Sequence, residues 1–413
     1  MDQNAHERDR EYIANELVVA NPHLDLVMRQ LDGAGVIDKD PDADLGLTLL
    51  KLGDVETAVT QVRQAREAAG ATAPERDPGL PELPLEDLLG ELRSLFEHQY
   101  DGWTPTMGKN RVMRGVQLFP YPSAGGGRRP TLPTSTGRPS AVASSVDAGQ
   151  GVRVAVLDTP VFPHTRLAGR YITAPGSLLP VEAGVRPWSA GHATFVAGLI
   201  LQQAPAAELR MESVLEADGS TADVWTVARR LVRYAGMGFD VMNLSFGSFT
   251  IDGRPPLVLE RAIGRITPET VVIAAAGNYG EVPAGGSGVD ELPKPTTPIW
   301  PAAFDDVIAV GALDGEKPAV FNSTGAWVKL MAPGVDLQST YLTGEVTGHE
   351  SQGGPEERDT FEGVAQWSGT SFAAGVVTGA IAALTVRGRR TAYEALDLIR
   401  ERAGQNGIGI RLP

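Results

Sequence analysis

Four residues of this 413-residue chain combine a chemical type and a local setting that suit a single reaction: Asp158, His192, Asn278 and Ser371. Ser371 lies in Trp367-Ser368-Gly369-Thr370-Ser371-Phe372-Ala373-Ala374-Gly375 and leads into an apolar run rich in Ala and Gly, Val376 to Leu384. The run predicts a buried helix, so Ser371 sits where a loop becomes a helix. The first backbone N–H groups of a helix have no partner inside it. With the helix dipole they favour negative charge nearby. A hydroxyl beside a ready anion site is what acyl transfer needs. Gly-Thr-Ser is equally an ordinary helix N-cap, so the remaining residues must decide.

Asp158 closes the apolar segment Val154-Ala155-Val156-Leu157. A carboxylate at that position is costly unless it is hydrogen-bonded or used, although a lone Asp there commonly caps a turn. His192 lies in Ser189-Ala190-Gly191-His192-Ala193-Thr194-Phe195-Val196-Ala197-Gly198, a helix start with small neighbours. Of the 6 histidines, His6, His23 and His98 fall in the N-terminal region, His164 in a Pro-rich turn and His349 in a Gly/Glu-rich loop. Only His192 combines a Gly-flanked helix start with a place among the later strands. Asn278 ends Val272-Ile273-Ala274-Ala275-Ala276-Gly277, where Asn beside Gly otherwise reads as a turn. Together the residues compose one mechanism. His192 takes the proton of Ser371 as it attacks a carbonyl carbon, and Asp158 holds the imidazole in the right tautomer. Asn278 and the Ser371 backbone N–H hold the oxyanion.

Those positions require a frame. After Gly151, short apolar runs recur at Val152 to Leu157, Leu209 to Leu215, Asp240 to Phe246, Thr270 to Ala276, Val307 to Leu313 and Val328 to Met331. Helical stretches separate or follow them: Ala193 to Gln203, Thr221 to Met237, Pro256 to Ile266, Ser371 to Val386 and Thr391 to Ala403. Apolar strands alternating with helices predict an α/β fold, a parallel sheet covered by helices on both faces. In such sheets the site lies at the carboxyl ends of the strands. Before this domain the pattern differs. Tyr12 to Ala20 and Leu45 to Leu52 read as strands, and Leu24 to Leu31, Asp54 to Ala69 and Leu85 to Leu95 as helices, with Asp54 as a cap. The expected organisation is a small N-terminal α+β domain over 1–102, a Gly/Pro/Ser-rich linker over 103–150 and a main domain over 151–413.

The main domain resembles the subtilases, the subtilisin-like serine peptidases. The resemblance covers about 150–403 and rests on Val154 to Thr159, Gly191 to Gly198, Asn243-Leu244-Ser245-Phe246-Gly247, Ala274 to Asn278 and Gly369 to Ala374. Pro301-Ala302, Val307 to Gly311 and Met331-Ala332-Pro333-Gly334 also fit. The order Asp…His…Ser and the Asn oxyanion donor are known properties of subtilisin itself. The resemblance implies a groove lined by Ser245, Phe246, Gly247 and Ser248 and by Ala275, Ala276 and Gly277, where an extended substrate adds as a strand. It implies room for a sizeable side chain beside the small residues 275–277, narrowed by Phe246. It also implies that the N-terminal domain is the family's propeptide, an intramolecular inhibitor that is cut away within the linker. A permanent accessory domain is the competing reading. The chain departs from the family pattern at Pro160 and Ala193, where Gly is usual, and at Gly375, where Pro is common. Thr343 to Gly363, acidic and Gly-rich, reads as an inserted, solvated loop, with a flap beside the site as the alternative. No catalytic cofactor or metal is expected. The family often binds structural calcium, but no acidic cluster here matches such a site.

Composition sets further bounds. The 51 acidic against 36 basic residues give a net charge of −15, which argues against nucleic acid and anionic membranes as partners and leaves a peptide or protein substrate. Without cysteine there is no disulfide, thiol nucleophile or Cys-based metal site. No signal-type apolar run follows the polar N-terminus and no stretch spans a bilayer. The cytoplasm is the default expectation, or secretion if the chain has been trimmed. An intracellular processing or self-maturing peptidase fits that setting. A catalytically silent copy used as a peptide-binding scaffold is the alternative, disfavoured by the intact set of residues. An esterase with a Gly-x-Ser-x-Gly elbow and the order Ser…Asp…His is excluded by Gly369-Thr370-Ser371-Phe372-Ala373 and by the observed order.

Overall fold

The computed structural model describes residues 12–75, 83–115, 129–135, 138–139, 145–182, 184–217, 222–250, 252–266, 268–280, 294–347, 358–403 and 410–411. The chain forms two compact units. One holds Met1–Val112 with Asp223–Val232 and Pro255–Arg265, and the other holds Met113–Ala222, Arg233–Arg254 and Ile266–Pro413.

In the first unit, β1 (Tyr12–Ala20), α1 (Leu24–Gln30), β2 (Val36–Asp42), β3 (Leu47–Leu52), α2 (Val55–Ala68), α3 (Pro84–Gln99) and β4 (Met107–Gly115) follow in order. The strands form an antiparallel sheet in the order β4-β1-β3-β2. Asp54 caps α2 through the Glu56 and Thr57 amides at 3.0 and 3.2 Å, which satisfies donors a helix start leaves orphaned. The core packs Leu17, Val19, Leu50 and Leu52 under Val59 and Val62 of α2 and Leu88, Leu92 and Phe96 of α3.

Two strands here differ from the sequence reading. β2 escaped it because Ile-Asp-Lys-Asp-Pro-Asp carries no apolar alternation. It is an edge strand, where charge and proline are tolerated. β4 falls inside the stretch read as a linker over 103–150, which is corrected at that point. Its buried positions include Lys109, Asn110 and Arg111, polar residues that composition assigns to solvent. Lys109 pairs with Glu86, and Asn110 donates to Glu16 at 2.6 Å.

The later elements are β5 (Arg153–Asp158), α4 (His192–Gln203), β6 (Glu208–Ser213), α5 (Val224–Ala235), β7 (Val241–Leu244), α6 (Leu257–Ile263), β8 (Val271–Ala275), β9 (Val307–Asp314), β10 (Val328–Pro333), β11 (Leu337–Thr347), β12 (Arg358–Trp367), α7 (Thr370–Leu384) and α8 (Ala392–Glu401). β6, β5, β7, β8, β9 and β10 lie side by side in that order, all parallel. β5 is flanked by β6 on one side and β7 on the other, so the winding reverses at β5 and opens a crevice at its carboxyl end. Val154 and Val156 join the core shared with α4 and α7, while Ala155 and Leu157 on the opposite face are equally buried. Burial on both faces is why these strands read as unbroken apolar runs. Gly379 of α7 lies against Ile200 and Gln203 of α4, where an added Cβ would come within 2.7 Å of the Ile200 carbonyl.

The stretch Thr343 to Gly363 is not a solvated loop over its described part. β11 and β12 pair antiparallel from Leu337↔Trp367 out to Thr347↔Arg358. Residues 348–357 lie outside the described residues.

Within the first unit, the N-terminal sheet meets α5 through polar groups. Asp40 accepts from Trp225 Nε1 at 2.9 Å and from Arg229 Nη1 at 2.8 Å, and Arg229 Nε reaches Asp42 at 3.1 Å. Asn110 accepts from the Trp225 amide at 3.0 Å, and Asp223 caps the helix through the Thr226 amide at 2.9 Å. The charges that hid β2 from hydrophobic patterning are the groups it uses here.

Candidate active site

Asp158 ends β5 at the winding reversal and is fully buried. Its Oδ1 accepts from the Thr159 amide at 2.7 Å and from His192 Nδ1 at 2.7 Å. A carboxylate accepts only, so Nδ1 carries a proton in this bond and Nε2 is the ring nitrogen left to act as a base. Among the described residues, Nε2 has no hydrogen-bond partner. The ring is held edge-on to Trp367, with centroids 5.6 Å apart, and tilted against Phe372 at 5.4 Å. A short 3₁₀ turn, Trp188–Gly191, delivers His192 to the start of α4. Gly191 is required there, because a Cβ would lie 2.0 Å from the Tyr341 ring. Ala193, one of the departures from the family pattern, is buried and its amide donates to Thr159 Oγ1 at 3.2 Å.

Ser371 is the second residue of α7, preceded by Gly369 as N-cap and by Thr370. Its Oγ donates to the Ser245 carbonyl over a long 3.4 Å, not to His192. Asn278 follows β8. Its Oδ1 accepts from the Thr370 amide at 3.0 Å and the Thr370 hydroxyl at 2.9 Å. With the carbonyl end fixed toward the residue before Ser371, the orientation of the amide N–H₂ is fixed as well. Thr370 Oγ1 also accepts from the Gly277 amide at 3.2 Å. Gly277 has φ +113°, and a Cβ there would sit 2.6 Å from Ser323 Oγ, so only glycine fits.

The residues expected to line a groove begin with Ser245, which is tied to the same helix. Ser245 Oγ donates to Asn243 Oδ1 at 2.8 Å, and Asn243 Nδ2 donates to Thr378 of α7 at 2.9 Å. That chain ties the end of β7 to the helix bearing Ser371. Phe246 and Gly247 pair antiparallel with Gly115 and Arg114, the last residues of β4. Ser248 and Trp300 exchange both backbone hydrogen bonds, at 2.9 and 2.8 Å. Ala275 and Ala276 are fully buried. Asp158 and Ser371 are each 0% and His192 5% exposed.

The structure therefore gathers Asp158 and His192 into direct contact and binds Asn278 to the Thr370-Ser371 step. The Ser371–His192 hydrogen bond is not formed. Thr370, Thr159, Asn243 and Trp367 were not singled out in the sequence. Thr370 had a signal, its place inside the serine block, but its partners lie 92 and 93 residues away. Among the described residues, no three His, Asp or Glu side chains group in a way that could hold a metal ion. None of the described helices is long and apolar enough to cross a membrane.

The chain belongs to the subtilase family, whose profile matches residues 149–405. It is accordingly a serine-type endopeptidase, a subtilisin-like hydrolase. Subtilisin BL of Lederbergia lenta is 36% identical over 203 residues, which cover 47% of this chain and 67% of that protein. The thermophilic serine proteinase of a Bacillus species is 30% identical over 254 residues, covering 58% of this chain and 53% of that one. The crystal structure of fervidolysin from Fervidobacterium pennivorans, described as related to subtilisin, superposes with a TM-score of 0.57. At 20% identity it matches 96% of this chain and 58% of its own, a likeness of fold.

Proposed function

We propose that Asp158, His192 and Ser371 are the triad of this endopeptidase, with Asn278 and the Ser371 amide as oxyanion donors. The observation that carries the assignment is the Nδ1–H bond of His192 to Asp158, which leaves Nε2 as the available base at a helix start. Ser371 turns from the Ser245 carbonyl toward Nε2 and attacks the substrate carbonyl carbon, passing its proton to His192. The oxyanion is held by the Asn278 amide and the α7 amide. The C–N bond then breaks as His192 returns the proton to the leaving amine. Water, deprotonated by His192, attacks the acyl-enzyme, and the proton passes back to Ser371 Oγ.

The N-terminal domain is the inhibitor of its own chain, and the enzyme matures itself. What supports this is the ladder of Arg114 and Gly115 on Gly247 and Phe246, the edge where an extended substrate would pair. The Ser245 carbonyl, next along that edge, is 3.4 Å from Ser371 Oγ. Self-cleavage is expected inside the stretch 103–150. The chain then acts as a processing protease.

The test is intact mass of the wild type and of Ser371→Ala, with and without a fluorophosphonate. Uptake of one probe and loss of a fragment ending within 103–150, both absent in Ser371→Ala, is the expected result. Labelling without trimming makes the N-terminal domain a permanent accessory. Absence of labelling that persists after proteolytic removal of residues 1–150 from folded protein overturns the triad and leaves a silent scaffold.

A further inference from the structure

A lysine occupies a position in the second unit that chemically suits a metal ion. Lys329, on β10, donates its ammonium to the Asp305 carbonyl at 2.5 Å, the Val307 carbonyl at 2.8 Å and the Phe304 carbonyl at 3.4 Å. An ammonium has three N–H donors, and each one meets a backbone carbonyl of the same loop, 304–307. Convergent backbone carbonyls at short range are the ligand set that hard cations take. Their dipoles repel one another unless a positive charge sits between them. The Asp305 and Asp306 carboxylates add to the negative field, and Arg400 of α8 opposes it. Burial of the ammonium pushes its pKa below the usual lysine value, against the pull of the two aspartates.

The same loop connects to the groove. The Phe304 ring lies 4.7 Å from that of Trp300, and Trp300 is the residue that exchanges both backbone hydrogen bonds with Ser248. The Phe304 amide also donates to the Pro301 carbonyl, which closes the turn between them at 3.1 Å. The 304–307 stretch is thus tied through Phe304 and Trp300 to the backbone of Ser248.

We propose that Lys329 is a tethered cation: its ammonium fills a carbonyl cage that would otherwise bind an alkali metal ion, and through this cage it positions Trp300 and Ser248 in the substrate groove. The link to the groove rests on the reading of Ser248 as a substrate-binding residue. Lys329 touches no reacting atom, so it is a positioning residue. This loop thus has no need of an added ion, and Lys329→Ala creates the need by emptying the cage.

The experiment compares wild type, Lys329→Ala and Lys329→Met in choline chloride and in potassium or sodium chloride at equal ionic strength. Melting is followed on the full chain carrying Ser371→Ala, and kinetics on the active enzyme with a peptide amide. In choline, Lys329→Ala should melt ~4–8 °C below its parent. Its KM should rise about 5–10-fold with kcat within about twofold. Potassium or sodium should restore most of both losses. The parent should not respond to the exchange. Lys329→Met, whose side chain fills the space, should show the loss without the rescue. A Lys329→Ala chain that folds only in potassium or sodium also supports the cage. An alanine variant no more responsive to these ions than its parent, or a methionine variant as stable as the parent in choline, overturns the cage. Rescue of melting with KM unmoved overturns the link to the groove. The melting arm needs no catalysis, so it stands apart from any failure of the triad.

Discussion

Thr370→Val tests whether the oxyanion donor is aimed from the residue beside the nucleophile. The substitution keeps the shape of a fully buried side chain and removes one hydroxyl. That hydroxyl donates to Asn278 Oδ1 at 2.9 Å and accepts from the Gly277 amide at 3.2 Å. Asn278 Oδ1 keeps the Thr370 backbone amide at 3.0 Å, so the side chain loosens without being released. One buried neutral hydrogen bond is worth ~0.5–1.5 kcal/mol. If that energy holds the Asn278 amide in its transition-state position, kcat falls about 2–13-fold with KM unchanged. Deleting the donor itself, in Asn278→Ala, should cost ~2.7–4 kcal/mol, the range known for the subtilisin asparagine. The orphaned Gly277 amide adds a stability loss of ~1–3 kcal/mol that has no reason to enter kcat. The assay is Michaelis kinetics on a peptide amide, normalised to active sites by fluorophosphonate titration, with melting measured separately. Thr370→Ser should behave as wild type. In an Asn278→Ala background, Thr370→Val should lower kcat no further. Equal effects of Thr370→Val with and without Asn278 would refute the coupling, and Thr370 would then be a packing residue only.

Other consequences follow from the same contacts. Asp158→Asn should leave the fold intact and lower kcat about 10⁴-fold, because an amide no longer enforces the Nδ1–H tautomer; a loss below about tenfold, read by the same kinetics, would remove Asp158 from the triad. Arg229→Ala should lower the melting temperature of the Ser371→Ala chain modestly, since exposed pairs such as those to Asp40 and Asp42 are worth ~0.2–1 kcal/mol each. The difference should shrink in 1 M salt, roughly a 3 Å screening length, and an unchanged difference would assign the effect to packing. His164 donates through Nε2 to the Gly363 carbonyl and accepts from the Arg166 amide, and burial lowers its pKa below the ordinary 6.5. Its folded form binds a proton less readily than the unfolded one, so stability present above pH 6.5 is lost as pH falls from 6.5 toward the lowered value. Denaturant titrations of His164→Asn should flatten that slope, and an equal slope in both proteins would sink the assignment. Tyr234 donates to Glu212 at 2.7 Å, and burial, reinforced by that carboxylate, pushes its phenol up to about 12. Stability should therefore fall as pH rises from 10 to about 12, more in the wild type than in Tyr234→Phe.

The sheet was legible because strands buried on both faces are apolar throughout. β5, β6, β7, β8, β9 and β10 appear where Val152, Leu209, Asp240, Thr270, Val307 and Val328 begin their runs. Glycine carries a similar signal: Gly191 and Gly277 mark places where a Cβ would strike Tyr341 or Ser323. What could not be read was structure built on polar groups. β2 is an edge strand of charged residues, and β4 buries Lys109 and Asn110 against partners up to 115 residues away. The β11–β12 hairpin is half exposed and its sequence is acidic and Gly-rich, so composition reports a loop where a long antiparallel ladder exists.

By itself, the sequence determined the class of chemistry and the frame: the residue types at strand ends and helix starts, their order, and a parallel α/β sheet to hold them. Local pattern suffices for this, because periodicity and small-residue spacing are properties of neighbouring positions. Only the tertiary structure decided which tautomer His192 holds, that Thr370 orients Asn278, that Arg114 and Gly115 lie on the Phe246–Gly247 edge, and that Lys329 fills the carbonyls of 304–307. Each of these is a hydrogen bond between groups distant in the chain. Such bonds depend on where the folded backbone sets a donor relative to an acceptor, and composition carries no record of that distance.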